Sequence, residues 1–262
     1  AIQLFLAAKN YGNEVNPETR TKYSKFSDAA KRMVGANDNT DNNHNKKPTW
    51  SSRKAMMVIY TPALLASAAL LALNVVPITS KGAIFVVIHF LKRVLEVLFV
   101  HEYSGNVDTE TPTGISIFYL LVAVLACCAS DYHPTETMCN IGAQLFLIGI
   151  AGNLYHHYLL AQLRRNNNSN NGAIADQEPP KERYVAPRGG LFEYVATPHY
   201  LFEIIGWFGI AVVSNHANVY LIAASMSSYL AGRSVAQNEF NRSKFDKMEW
   251  PKSRKNLIPY LF

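Results

Sequence analysis

Four long apolar runs constrain this chain more than any other feature, because none of them contains a lysine, arginine, aspartate or glutamate. The runs are Ala55–Ser80, Thr111–Ser130, Thr137–Leu163 and Ile204–Gly232. A helix needs about 20 apolar residues to cross a bilayer, and a helix or a closed barrel is required there to satisfy the backbone polar groups. The sequence therefore predicts an all-α, polytopic membrane helix bundle.

Six membrane helices are predicted. The first three runs give one helix each, and the fourth is long enough for two helices that separate at Ser214–Asn218. Gly82–Val100 supplies another helix, second in chain order. The N-terminal AIQLFLAA is too short to span, and we interpret it as the tail of a helix that lies upstream. The expected organisation is a segment at 1–54, with this partial first helix and an asparagine-rich cytosolic stretch, and a membrane domain at 55–262.

Basic residues gather in loops that would lie on one side of the membrane. They occur before the first helix, after the fourth and after the sixth, whereas the opposite loops contain only Lys81. This asymmetry predicts that the basic loops and the C-terminus face the cytosol. Two asparagine-rich segments, 36–47 and 166–172, have little apolar surface to bury and are predicted to be disordered.

Several function classes lack support in the sequence. The net charge of +6 is not arranged as a basic stripe with interleaved aromatic residues, so nucleic acid is not an expected partner. The three cysteines form no CxxC pair, which predicts neither a disulfide framework nor a zinc site. Nucleotide-binding and hydrolase motifs such as GxGxxG, the Walker loop and GxSxG are absent from the sequence.

Ionisable residues within the apolar helices are the candidate functional residues. The second helix carries His89, Lys92, Arg93 and Glu96, and three of these share one face through i, i+4 and i+7 spacing. Four such residues would be very costly if they faced lipid. They form either an internal salt-bridge lattice that holds the bundle together or the lining of a polar pocket.

Two further pairs have i, i+4 spacing, namely Asn153 with His157 and His199 with Glu203. The adjacent histidines of the fourth helix have no carboxylate or cysteine at ligand spacing, so no metal site is predicted. Arg164, at the end of that helix, is either a cytosolic anchor or a phosphate-binding residue. The basic cytosolic mouth of the bundle suits a polyanionic ligand such as a dinucleotide phosphate or a coenzyme A ester.

Four blocks of sequence together resemble the steroid 5-alpha-reductase superfamily, which includes very-long-chain trans-2-enoyl-CoA reductases and polyprenol reductases. They are HFLKRVLEVLFVHEYSG (89–105), GNLYHHYLLAQLRR (152–165), YVAPRGGLFEYVATPHYLFEIIGWFG (184–209) and the terminal KSRKNLIPYLF. The plant-type members are the most similar. The resemblance implies a seven-helix bundle of the endoplasmic reticulum membrane and a C-terminal NADPH-binding half at about 138–262. It also implies reduction of a carbon–carbon double bond conjugated to a carbonyl in a lipid, of the steroid 4-ene-3-one or 2-enoyl-CoA type.

The resemblance also assigns residues to the cofactor. The glycines of the Pro187–Gly190 turn would let the backbone approach the dinucleotide, and Asn241 and Gln237 replace the tyrosine and histidine that are common at their positions. The predicted cofactor-binding residues are Asn153, His157, Arg164, Tyr184, Gly189, Gly190, His199, Glu203, Arg233, Asn241 and Arg254.

On the substrate side this chain differs from the animal steroid reductases. Tyr60 stands where they have a catalytic glutamate, and Phe90 stands where they have a tyrosine beside the histidine, here His89. The predicted catalytic residues are Tyr60 as a hydrogen-bond donor to a forming enolate, Lys92 as a group that polarises a thioester carbonyl, and His89. Both replacements favour an acceptor other than a 3-keto steroid.

Two alternatives remain open at this point. Membrane methyltransferases that use S-adenosylmethionine have a similar helical architecture, although PRGGLFEYV and KSRKNLIP favour the reductase. A relative without catalytic activity, which binds a lipid or a partner protein, would account for the replacements at Tyr60, Phe90, Gln237 and Asn241.

Overall fold

The structure, a computed structural model, describes residues 2–21, 48–130, 133–172 and 185–262. Within these ranges the α-helices are α1 (Ile2–Val15), α2 (Ser52–Ala72), α3 (Lys81–Leu95), α4 (Glu110–Cys128), α5 (Glu136–Gly172), α6 (Pro198–Ser214) and α7 (Ala217–Lys244). A π-helical turn at Glu96–Val100 continues α3, and a 3-10 turn covers Gly190–Glu193. Strands β1 (Thr49–Ser51) and β2 (Asn106–Asp108) pair in antiparallel register.

The predicted all-α bundle is confirmed, with a helix at each of the six predicted positions. The predicted break between the last two helices also exists. Asn215 ends α6 in the left-handed conformation (φ 48°), which asparagine tolerates better than most residues. The imidazole of His216 then accepts a hydrogen bond from the backbone N–H of Asn218 and caps α7. The N-terminal apolar residues, predicted to be the tail of a helix, form α1.

The prediction of disorder at 166–172 was wrong, since α5 continues through this asparagine-rich segment to Gly172. Adding a residue to an existing helix is much easier than starting one, and the preceding apolar turns of α5 provide the start. The other asparagine-rich segment, 36–47, lies outside the described residues.

Three helices in the described ranges are long and apolar enough to cross a bilayer, namely α2, α4 and the stretch Glu136–Asn167 of α5. Helix α6 is apolar but has 17 residues. Large apolar side chains on the three long helices remain more than half exposed, including Leu65, Leu121 and Leu147. Such side chains suit contact with lipid tails, so the structure supports membrane association.

Helices α5 and α6 make a close backbone contact that fixes the position of their polar residues. A Cβ atom at Gly149 of α5 would lie 2.4 Å from the backbone nitrogen of Gly206, and one at Gly209 of α6 would lie 2.5 Å from that of Phe146. Small residues allow membrane helices to approach in this way. We call this contact the glycine seam. It places Asn153 and His157, one and two turns beyond Gly149, beside the first turns of α6.

The apolar core joins the six helices from α2 to α7. Its buried residues include Ile59, Phe90, Ala126, Trp207 and Met226. The ionisable face of α3 lies in the interior of the bundle, where His89, Arg93 and Glu96 are buried.

Candidate functional site

Glu96 is the centre of a buried ionic network. Its Oε1 lies 2.7 Å from Lys92 Nζ and 3.0 Å from His157 Nδ1, and its Oε2 lies 2.8 Å from Arg93 Nη1. Only 1% of the Glu96 side chain is exposed. A carboxylate with so little water is tolerated because charged and polar donors surround it. The salt-bridge lattice considered from the sequence is therefore present, and it extends from α3 to α5.

The π-helical turn that begins at Glu96 adds one residue to the helical repeat. The backbone N–H of His101 donates to the Glu96 carbonyl at 2.8 Å, which is an i to i+5 bond. Such turns are frequent at functional sites. As a result the residues after Glu96 turn toward α5, where the His101 and His157 rings lie 4.8 Å apart.

Asn153 connects the two sides of the network. Its Oδ1 accepts a hydrogen bond from the Lys92 ammonium. Its Nδ2 donates to the backbone carbonyl of His199 at 2.7 Å and lies 3.4 Å from Glu203 Oε2. The structure thus brings together two i, i+4 pairs that are about 50 residues apart in sequence.

Tyr60 reaches the same network from α2. The Arg93 Nη2 donates a hydrogen bond to the Tyr60 hydroxyl, and the guanidinium carbon lies 4.6 Å from the centre of the phenol ring. We use the name inner ionic cluster for this set of residues. It comprises Tyr60, Lys92, Arg93, Glu96, Asn153, His157 and Glu203.

His89 lies at the edge of the inner ionic cluster. Its ring centre is 4.9 Å from that of Trp207. With Lys92, Asn153 and Glu203 it lines a cavity of about 10 Å³, which is space for about one water molecule. The three predicted catalytic residues are therefore close to the predicted cofactor residues of α5 and α6.

Arg93 and Glu96, which their i, i+4 and i+7 spacing with His89 predicted on one polar face, make most of the connections in the cluster. Neither residue was assigned to catalysis or to the cofactor.

The glycine turn at 187–190 packs against α5. Gly189 and Gly190 have φ values of 85° and 54°, a region that side chains with a Cβ rarely adopt. The backbone N–H of Leu191 donates to His156 Nε2 at 3.2 Å. A Cβ atom at Gly190 would lie 2.9 Å from that same nitrogen. In the structure the glycine turn closely approaches His156. Its approach to a dinucleotide stays a prediction.

A Gly190→Ala substitution is expected to destabilise the protein by about 1–3 kcal/mol, because alanine would be strained at this φ and would collide with His156. Thermal unfolding in detergent measures the change. Gly114→Ala is the matched control, since a Cβ there meets nothing within 4 Å and α4 favours alanine over glycine. Equal melting temperatures for the two variants would contradict this account of the turn.

The C-terminal segment holds the glycine turn in place. Arg254, 1% exposed, donates from Nη1 to the Pro187 carbonyl at 3.3 Å and from Nη2 to Glu193 Oε2 at 3.1 Å. Its guanidinium carbon lies 4.2 Å from the centre of the Trp250 ring. The backbone N–H of Gly189 donates to Glu193 Oε1 at 2.9 Å. That hydrogen bond lowers the pKa of the Glu193 carboxyl below its usual value, and the charges of Arg254 and Arg188 act in the same direction.

Three predicted cofactor residues have partners away from the inner ionic cluster. Arg164 Nη1 donates to the Glu102 carbonyl at 2.6 Å. Arg233 Nη1 lies 3.1 Å from Glu14 Oε2 in a buried ion pair that joins α7 to α1. Asn241 accepts a hydrogen bond from Gln237 Nε2 at 2.8 Å. Tyr184 lies outside the described residues.

A possible metal-ligand set exists at Glu96, His101 and His157, whose ligand atoms all lie within 4.8 Å of one another. The charges around it oppose a cation, because the Glu96 carboxylate is already paired with Lys92 and Arg93. The prediction that no metal is bound stays a prediction.

Comparison with known proteins agrees with the family resemblance found in the sequence. The family described as 3-oxo-5-alpha-steroid 4-dehydrogenase matches residues 113–262. Human 3-oxo-5-alpha-steroid 4-dehydrogenase 1 is 34% identical over 146 residues, which cover 55% of this chain and 51% of that protein. The very-long-chain enoyl-CoA reductase of Dictyostelium discoideum is 30% identical over 183 residues, which cover 66% of this chain and 55% of that protein. Steroid 5-alpha-reductase DET2 of Solanum lycopersicum is 36% identical over 80 residues, 30% of each chain.

The chain spans about half the length of the first two of these relatives. The region matched by the family contains α5, α6, α7 and the C-terminal segment, and with them the α5 and α6 residues of the inner ionic cluster.

Proposed function

Because the chain belongs to the 3-oxo-5-alpha-steroid 4-dehydrogenase family, we propose that it is a membrane-bound, NADPH-dependent reductase. Its substrate would be a lipid with a carbon–carbon double bond conjugated to a carbonyl, either an enoyl-CoA or an enone. The observation that carries the proposal is the inner ionic cluster. In it Lys92 bonds to Asn153, which lies next to Glu203, and Arg93 connects Tyr60 to Glu96. Relatives named for steroid and for enoyl-CoA substrates support the reaction class.

The residues present fit a nicotinamide dinucleotide in their chemistry. The amide of Asn153 and the carboxylate of Glu203 offer the donor and the acceptors that a carboxamide needs. Arg188 and Arg254, beside the glycine turn, suit phosphate. The Nε–H of Arg254 is buried, and no hydrogen-bond partner for it exists among the residues that the structure describes. When bound, NADPH would supply the hydride that adds to the carbon beta to the carbonyl.

The residues of α2 and α3 would stabilise the charge that develops on the carbonyl oxygen. As the beta carbon gains a hydride, the double-bond electrons move toward that oxygen and form an enolate. The Tyr60 hydroxyl accepts its hydrogen bond from Arg93, so its own hydrogen is available for the enolate oxygen. Donors that are fixed before the reaction lower the barrier most effectively. The ammonium of Lys92 adds positive charge nearby. The enolate then takes a proton from solvent at its alpha carbon, which completes the reduction.

The family resemblance supports a location, and the basic loops support an orientation. We propose that the chain lies in the endoplasmic reticulum membrane, with the C-terminus and the basic loops in the cytosol, where NADPH would enter. Protease protection of a C-terminal epitope tag in sealed microsomes tests the orientation, and a protected tag would contradict it.

The decisive assay offers the purified chain NADPH and one of three acceptors, a trans-2-enoyl-CoA, a 3-keto-4-ene steroid or a polyprenol-type lipid. Consumption of NADPH is followed at 340 nm and the reduced lipid by mass spectrometry. We expect turnover with the enoyl-CoA and no methyl transfer from S-adenosylmethionine. Reduction of the steroid alone would contradict the interpretation of Tyr60 and Phe90. A protein that binds NADPH but reduces none of the acceptors would be a relative without this activity, which contradicts the proposal.

Glu203→Gln is expected to raise the KM for NADPH about 10-fold or more. The substitution removes a charged acceptor, and hydrogen bonds to charged groups contribute about 1.5–3 kcal/mol. Glu136→Gln, on the exposed first turn of α5, is the matched control and should leave the KM unchanged. Identical kinetics for the two variants would exclude Glu203 from the cofactor site.

A further inference from the structure

The Tyr103 hydroxyl is buried without a hydrogen-bond partner among the described residues. Tyr103 lies between the π-helical turn and β2, and its ring packs against the apolar core that contains Tyr60. Nearly all buried polar groups in native proteins have a partner. A buried hydroxyl without one therefore suggests a partner that arrives from outside the chain.

The neighbours of Tyr103 belong to the proposed reaction site. Its ring centre lies 5.8 Å from that of His101, which in turn lies 4.8 Å from His157. Burial raises the pKa of the Tyr103 hydroxyl above its usual value, the nearby Tyr60 raises it further, and the positive charge of Arg93 lowers it. The phenol therefore stays protonated at neutral pH and remains a donor.

Arg93 has a second buried donor of the same kind. Its Nη atoms donate to Tyr60 and Glu96, while its Nε–H has no partner among the residues that the structure describes. Arg93 bonds to the Tyr60 hydroxyl, and Tyr103 packs against the apolar core that contains Tyr60, so these three hydrogen-bond donors belong to the same part of the bundle. A carbonyl oxygen has two lone pairs and can accept hydrogen bonds from two of these donors.

We propose that Tyr103 donates a second hydrogen bond to the carbonyl oxygen of the substrate, where Tyr60 donates the first. This inference rests on the proposed reductase function. It assigns the carbonyl end of the lipid to the region where α2 and the segment after the π-helical turn meet the same apolar core. The two phenols hold the oxygen, and the Arg93 guanidinium beside them favours the negative charge that forms on it.

Tyr103→Phe tests the proposal, because it removes the hydroxyl and keeps the ring. We expect kcat with the best lipid acceptor to fall about 100-fold and the KM for NADPH to stay the same. The melting temperature should be unchanged or higher, since the variant loses a buried group for which the described part of the chain offers no partner. Tyr194→Phe is the control, as that residue is 47% exposed and lies next to Tyr260.

Tyr103→Gln restores a hydrogen-bond donor and should recover part of the lost kcat. A Tyr103→Phe protein with wild-type kcat would overturn the proposal, and so would one whose lower activity is matched by a lower melting temperature or by a failure to fold. These outcomes leave the reductase function intact. A wild-type chain that reduces none of the three acceptors would overturn both proposals.

Discussion

A Glu96→Gln variant is expected to lose about 3–5 kcal/mol of unfolding free energy. The carboxylate balances the charges of Lys92 and Arg93 in a region with almost no water, and breaking a buried ion pair from one side leaves the remaining charge uncompensated. Glutamine has nearly the same shape as glutamate, so a packing defect would not account for the loss. Thermal and denaturant unfolding of the detergent-solubilised protein measure it.

Glu102→Gln is the matched control for Glu96→Gln. Glu102 pairs with Arg165 at 2.8 Å, but 38% and 47% of the two side chains are exposed. Exposed ion pairs contribute about 0–1 kcal/mol, so this variant should be nearly as stable as the wild type. Similar stability losses in the two variants would show that the inner ionic cluster does not hold the bundle together.

Replacing Tyr60 by phenylalanine is expected to reduce kcat by about 10²–10³-fold. The variant removes the hydroxyl that we assign to the enolate oxygen, and loss of one such donor has an effect of this size. It also leaves one N–H of Arg93 without its partner, which should cost about 1–3 kcal/mol of stability. Initial rates with saturating NADPH and the best acceptor, together with melting temperatures, separate the two effects.

Tyr119→Phe is the control for the Tyr60 variant. Its ring centre is 5.6 Å from that of Tyr60, so it tests the consequence of losing a nearby phenol hydroxyl that has no role in the proposed chemistry. We expect at most a small change in kcat. If Tyr60→Phe retained kcat within a few fold of wild type while NADPH was still consumed, the carbonyl donor would have to be another residue.

The helices were predictable from the sequence because their determinants are local. Uncharged apolar runs define α2, α4 and α5, and a polar break around Asn215 separates α6 from α7. The spacing of His89, Arg93 and Glu96 likewise predicted one polar face on α3. Each of these features depends on neighbouring residues along the chain.

The connections between helices were not predictable in the same way. The π-helical turn at Glu96 follows from the packing of α3 against other helices, and an apolar run such as EVLFV fits an ordinary α-helix equally well. For the same reason the ion pair of Arg233 with Glu14 could not be found, since its two residues lie 219 positions apart. Sequence similarity suggested a cofactor role for Arg233, and this ion pair gives it a structural role as well.

The glycine seam has a consequence for how specificity within the proposed reductase function can evolve. Because the backbones of α5 and α6 touch at Gly149 and Gly209, neither helix can slide along the other without a collision. Asn153 of α5 and Glu203 of α6 are therefore held at a fixed spacing. Substitutions on α2 and α3 can change the shape offered to the acceptor while this spacing is conserved. The α5–α6 side of the site is therefore expected to keep its geometry, whereas the α2–α3 side can vary.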